Sequence, residues 1–205
     1  MNMPNTQNVK LSENIILADA DYIDLVTFRL SVQFERMVGR RIPKADLSRW
    51  AVDIALDGGL REDSKTHETQ LVLLHDKSKK QLDNFSPSVY DTDLNAQAFR
   101  DDKLGEFLVN AYPTGSMVAK DDYLKDAIRT ILEHDEVRRL MIIPNGEEGE
   151  SYDLVSRALH DAPDDKRITV FAMQPMPGGN FRQEILGYSL MNALGIKADE
   201  LKTED

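Results

Sequence analysis

The stretch from Asp121 to Gln174 constrains the fold most, because it reads as helix, strand, helix, strand with no interruption. Leu124, Ala127, Ile128, Ile131 and Leu132 recur at helical spacing, and Leu140-Met141-Ile142-Ile143 is then a short apolar run that stops at Pro144-Asn145-Gly146. Ser151 suits the N-cap of a second helix with Tyr152, Leu154, Val155, Ala158 and Leu159 on its apolar face. Ile168-Thr169-Val170-Phe171 reads as the strand that follows. Strands joined through helices of this length need crossover connections, so their sheet is parallel, and its ligands belong where strands end and helices begin.

The flanking sequence extends the same pattern. Asn14-Ile15-Ile16-Leu17-Ala18 is a buried first strand ending in Asp19-Ala20-Asp21, and Ile23, Val26, Leu30, Phe34, Met37 and Val38 line one face of the next helix. Asp46 caps a further helix that buries Leu47, Trp50, Ala51, Ile54 and Ala55 and stops at Gly58-Gly59. Gln70 to His75 and Glu106 to Tyr112 are two more strands, and Phe181 to Ile196 reads as a last amphipathic helix. Residues 81–104 are the least readable part, but Leu82, Phe85, Val89, Tyr90, Leu94 and Phe99 are too apolar for disorder and suggest short elements packed at an edge. With 205 residues and 41% hydrophobic content, the chain can bury one sizeable core. The expectation is a single α/β domain over 13–197, built as a three-layer α/β/α sandwich with a mostly parallel, Rossmann-like sheet of about five strands. A disordered lead-in over 1–12 precedes it and a charged tail over 198–205 follows.

Composition removes several functions. The 25 basic against 36 acidic residues give a net charge of −11, which opposes non-specific binding to nucleic acid or an anionic membrane, and no DNA-binding signature is present. Without cysteine there are no disulfides and no thiolate chemistry. Met1 to Lys10 is polar, and no run approaches the ~20 apolar residues of a spanning helix, so a soluble cytoplasmic protein is expected. Phosphate loops, a nucleophile elbow and zinc-spaced histidines are also missing.

Acid clusters remain. Asp19, Asp21 and Asp24 follow the first strand, Asp121, Asp122 and Asp126 open a helix, and Glu147, Glu148 and Glu150 follow Ile143. If the first and fourth strands are neighbours, these groups converge at the carboxyl edge of the sheet, where oxygen ligands suit Mg2+ or Mn2+. Plainer readings exist for most of them. Asp121 and Asp122 suit the positive end of a helix dipole, and the glutamates suit a solvated loop. Asp19 and Asp21, straight after a buried strand, have no evident structural task.

The run from Asp122 to Ile128, then Arg139 to Val155, then Ile168 to Met173, resembles the carboxyl half of NYN domains in the PIN-like nuclease superfamily, and Asp19 on the first strand adds to the likeness. The resemblance covers about half of the chain. It implies divalent-metal-dependent hydrolysis of single-stranded RNA. Asp19 or Asp21 would be the first metal ligand, Asp122 or Asp126 the second, and the Asn145 to Glu150 segment, with Asn145 and Glu147, the last. Where that family places aspartates directly after the fourth strand, this chain has Pro144-Asn145-Gly146 and only then glutamates, so a catalytically degenerate member stays open. Two other classes stand beside it. One is a non-catalytic protein-binding or self-associating module, a homo-oligomer, with Phe181 to Ile196 as its candidate face, against the plainer reading that this helix packs in the core. The other is a phosphatase, since Asp19-Ala20-Asp21 also resembles the opening motif of haloacid-dehalogenase-like enzymes, with the first aspartate as nucleophile and the second as general acid.

Overall fold

The computed structural model describes residues 10–63 and 65–201. Strand β1 (Asn14–Asp19) is buried at all six positions, and α1 (Ala20–Val38) follows it without a loop, because Asp19 is both the last strand residue and the N-cap. The helix stops at Gly39, whose φ of 66° is the left-handed conformation that favours glycine. The two-residue β2 (Ala45–Asp46) then leads into α2 (Leu47–Asp57). Next come β3 (Glu68–Asp76), the short β4 (Phe85–Ser86), a single π-helical turn at Tyr90–Leu94, β5 (Gln97–Asp101) and β6 (Gly105–Thr114). The second half holds α3 (Met117–Glu133), β7 (Arg139–Ile143), α4 (Ser151–Ala158), β8 (Arg167–Ala172), β9 (Arg182–Ile185) and α5 (Leu186–Ala193), ending in a 3-10 turn at Ala198–Leu201.

Seven strands form one sheet in the order β5-β6-β3-β1-β7-β8-β9, and β2 and β4 form a separate parallel pair. All pairings in the large sheet are parallel except β5 with β6. Ranked by their place in the chain, the six parallel strands lie in the doubly wound order 3-2-1-4-5-6, which reverses direction between β1 and β7. Strand side chains alternate between two cores. Ile16, Ala18, Leu71, Phe107, Met141 and Phe171 face α1, α2 and α5, whereas Ile15, Leu17, Leu140, Ile142 and Val170 face α3 and α4. The result is the three-layer α/β/α sandwich. Among the described residues no helix is long and apolar enough to cross a membrane.

The sheet has seven strands where about five were expected. Strand β5 lies inside the unreadable 81–104, and β9 stands where a helix was expected from Phe181. Both are edge strands whose residues are exposed or half-buried, so neither shows the alternation that marks a strand in sequence. Of the expected disordered lead-in, residues 1–9 lie outside the described residues, while Ser12 is buried and Leu11 packs against the α3–α4 core. Of the expected charged tail, 202–205 lie outside the described residues. Residues 198–201 are the 3-10 turn, held by Leu201 against the α1–α2 core and by Glu200, whose Oε1 accepts from Arg40 Nε at 2.7 Å. The face expected of Phe181 to Ile196 goes inward, with Leu186, Leu190, Leu194 and Ile196 in the core and Tyr188 left outside.

Candidate functional site

Strands β1 and β7 are neighbours, and the chain leaves them towards opposite faces, through α1 from β1 and α4 from β7. A doubly wound sheet opens a crevice at this place, beyond the carboxyl ends of the two strands. Asp19 ends β1, and its Oδ1 accepts from the Tyr22 backbone N–H at 3.1 Å. Asp21 lies in the first turn of α1, and its Oδ2 accepts from the Asp76 N–H at 2.8 Å, at the end of β3.

Between the two carboxylates lies a residue from another part of the chain. The crossover from β6 to β7 brings the first turn of α3 over the crevice. There Lys120 Nζ donates to Asp19 Oδ1 at 2.9 Å and to Asp21 Oδ2. Asp19 and Lys120 are each 8% exposed, so this is an almost dry ion pair. Among the described residues the other Asp21 oxygen has no hydrogen-bond partner, and Lys79 Nζ stands 3.6 Å from it. Burial pushes the Asp19 carboxyl above its ordinary value, with Lys120 pulling against it. For Lys120 burial works against the charge, but Asp19 and Asp21 together outweigh it and raise the ammonium pKa. The ammonium therefore stays charged.

Buried aromatic side chains adjoin these carboxylates. The His75 ring stacks on Tyr90 with centroids 3.7 Å apart, and His75 Nδ1 is 2.9 Å from the Asp76 carbonyl oxygen. Among the described residues the buried hydroxyl of Tyr90 has no hydrogen-bond partner, and that of Tyr22 lies near the Gly146 backbone. Burial first, and then Glu147 for Tyr22 and Asp21 for Tyr90, pushes both phenols up.

The other candidate residues divide sharply. Asp122 and Asp126 lie on the outer side of α3, with side chains 64% and 55% exposed, beside Lys125 at 3.6 Å and Arg129 at 4.0 Å. The register of α3 explains this. Lys120, Leu124, Ile128 and Ile131 form the buried row at spacings of four, four and three, and a residue two positions from that row is turned ~200° away. Nor does α3 start at Asp121: it begins at Met117, so Asp121 and Asp122 are past the first turn and do not cap it. Asp121 instead bonds Ser151 Oγ at the start of α4. Asn145 Oδ1 accepts from the N–H groups of Glu147 and Glu148, both at 3.0 Å, which folds the loop after β7 on itself. Glu147 Oε2 accepts from Arg29 Nη1 of α1 at 2.8 Å. Asp24 accepts from the Asn84 N–H at 2.8 Å and ties α1 to the start of β4.

The structure thus joins Asp19 with Asp21, brings Asn145 and Glu147 to the neighbouring strand end, and leaves Asp122 and Asp126 in solvent. Among the described residues no three His, Asp or Glu side chains are grouped to hold a metal ion. The residue that sequence reasoning missed is Lys120. Its signal was present, since a lysine in the first turn of a helix opposes the dipole unless a carboxylate meets it. Reading the helix as starting at Asp121 left Lys120 outside it.

The model described as a family of unknown function (DUF6621) matches residues 8–201, and the chain belongs to that family. No curated protein and no solved structure matches it.

Proposed function

We propose that this protein is a catalytically degenerate PIN/NYN-like module, in which a lysine of the chain takes the place of the divalent metal, and that it works as a non-catalytic binding protein. The observation behind this reading is Lys120 Nζ between Asp19 and Asp21. A Mg2+ or Mn2+ ion there would have to expel a buried ammonium held by two carboxylates. The helix acids that would complete its shell, Asp122 and Asp126, are turned to solvent, and Asn145 and Glu147 are engaged by their own loop and by Arg29. The likeness to PIN/NYN domains draws support from the doubly wound strand order and from an aspartate at the switch point.

The sign of one substitution separates the readings. In a lysine-bridged site Asp21→Asn removes half of the charge facing Lys120 and destabilises by about 1–3 kcal/mol. In an empty metal site the same change relieves carboxylate repulsion and is neutral or stabilising. Urea denaturation of the wild type and the variant reads the difference. Thermal melting with millimolar Mg2+ or Mn2+ is expected to show no shift, and single-stranded RNA is expected to stay intact. The second reading, RNA hydrolysis, rests on Asp19 at the switch point. It prevails if metal stabilises the fold, by about 2.7 kcal/mol at roughly 100 times its dissociation constant, if Asp19→Asn with Asp21→Asn abolishes that gain, and if RNA is cut. Hydrolysis of a phosphate monoester would favour the haloacid-dehalogenase-like phosphatase.

A further inference from the structure

At the opposite edge of the sheet, where β8 and β9 begin, lies a pocket of ≈ 560 Å3 whose walls include Arg61, Lys166, Arg167, Phe181 and Arg182. Among the described residues no aspartate or glutamate lines it, in a chain with a net charge of −11. A fifth cation adjoins it: Arg139 donates to the carbonyls of Gly58 and Gly59, both at 3.0 Å, and to Asn14 Oδ1 at 2.8 Å. Gly59 has a φ of +90° and no Cβ. One built there would stand 3.7 Å from Arg182 Nη1 and 3.9 Å from Arg139 Nε, so the guanidinium groups close around bare backbone.

Cations at this edge have an ordinary explanation, because the carbonyl ends of helices collect here. That explanation covers three of the five. Arg139 serves the residues after α2. Arg61 Nη1 donates to the Leu56 and Leu60 carbonyls at 2.5 and 2.7 Å, and Lys166 Nζ donates to those of His134 and Val137 at 2.7 and 3.0 Å. It does not cover Arg167 or Arg182. Among the described residues the Arg167 side chain meets no carboxylate, and Arg182 meets only Glu184, at 3.3 Å, with its own side chain 67% exposed. Burial first and then Arg167 hold the Arg139 pKa below its ordinary value, with Glu13 pulling the other way.

We infer that this pocket binds a small phosphate-bearing molecule of nucleotide size with at least two negative charges, gripped by Arg167 and Arg182. Guanidinium forks match phosphate oxygens two at a time, and the volume falls in the range of small-ligand sites, roughly 300–1,000 Å3. Phe181 gives the pocket an aromatic wall, itself braced edge-on by Tyr152 at 6.3 Å, against which a ring of the ligand can lie. The pocket is separated from Asp19 and Lys120 by the length of the five-residue β7, about 16 Å, so this inference stands apart from the reading of the carboxyl edge.

Calorimetric titration of the full chain with ADP and with inorganic pyrophosphate tests it. Both are expected to bind at sub-millimolar concentration and to raise the melting temperature. Arg167→Gln with Arg182→Gln should weaken both by at least about tenfold, or ~1.4 kcal/mol. Lys125→Gln with Arg129→Gln on the outer side of α3 removes the same charge far from the pocket, and should leave affinity within about twofold of wild type. Urea midpoints equal to wild type confirm that both variants fold. The inference is overturned by an absence of binding at millimolar ligand, by an equal loss in the two double variants, or by binding of single-stranded RNA without binding of ADP or pyrophosphate.

Discussion

Asp19 and Asp46 both cap helices, and burial sets them apart. Asp46 Oδ1 accepts from the Arg49 N–H at 3.0 Å and from Ser48 Oγ at 2.6 Å, near the surface. Burial would raise its pKa, but the Ser48 hydroxyl and the Arg49 N–H outweigh that and lower it. At Asp19 the penalty of burial outweighs the pull of Lys120 and of the Tyr22 N–H, and the pKa rises. The consequences for stability have opposite signs. What Asp46 contributes is fully present above the ordinary value of 3.8 and is lost as pH falls through its depressed value. What Asp19 contributes through its raised value is present below 3.8 and is lost as pH rises through it, while Lys120 limits that loss. Asp46→Ala is therefore expected to destabilise by about 0.5–2 kcal/mol at neutral pH, with the gap from wild type closing below pH 3.8. Urea denaturation at both pH values measures it. A gap unchanged in acid would mean that the side chain acts by packing and not by its charge.

Among the elements, β7 shows why the centre of this fold can be read from sequence. Its five residues are all buried, and Ile142 pairs with Leu17 on one side and Val170 on the other. Ile142→Ala should destabilise by about 2–5 kcal/mol, read as a lower urea midpoint at unchanged slope. A loss under about 0.5 kcal/mol would place the residue outside the core. Strands like β1 and β7 announce themselves because burial on both faces demands a continuous apolar run. Strands β5 and β9 do not, because an edge strand needs no such run, and hydrogen bonding to β6 and β8 holds them where side-chain pattern does not. The site was legible by the same rule. Asp19 and Asp21 stand out because acids after a buried strand break its pattern. Lys120 could not be found that way, since it meets them across 101 and 99 residues of chain, and the assumed start of α3 at Asp121 left it outside the helix. Arg167 and Arg182 were equally silent, each an ordinary charge until the sheet sets β8 beside β9.

In the whole molecule the parallel sheet aligns its helices, with amino ends at the carboxyl edge and carbonyl ends at the opposite edge. Asp19 and Asp21 lie at the positive end of α1, and Arg61, Arg139 and Lys166 lie on carbonyls at the negative ends, so charge follows the helix dipoles. Lys120 runs against the dipole of its helix, a cation in the first turn of α3 that two carboxylates make tolerable. The two lysines bracket α3, because Lys120 lies in its first turn and Lys166 holds the His134 carbonyl just past its end, about 20 Å along the helix. Lys120→Met leaves two nearly buried carboxylates facing an apolar side chain and should cost about 3–5 kcal/mol. Lys166→Met leaves the Val137 carbonyl without a donor and the His134 carbonyl with the Val137 N–H alone, and should cost about 1–3 kcal/mol. Because the lysines share no partner, the double variant should lose the sum of the two within about 0.5 kcal/mol. Urea denaturation of the single and double variants completes the cycle. An interaction energy beyond about 1 kcal/mol would show that α3 transmits between the edges of the sheet, and the acidic site and the basic pocket would then be one coupled system and not two independent ones.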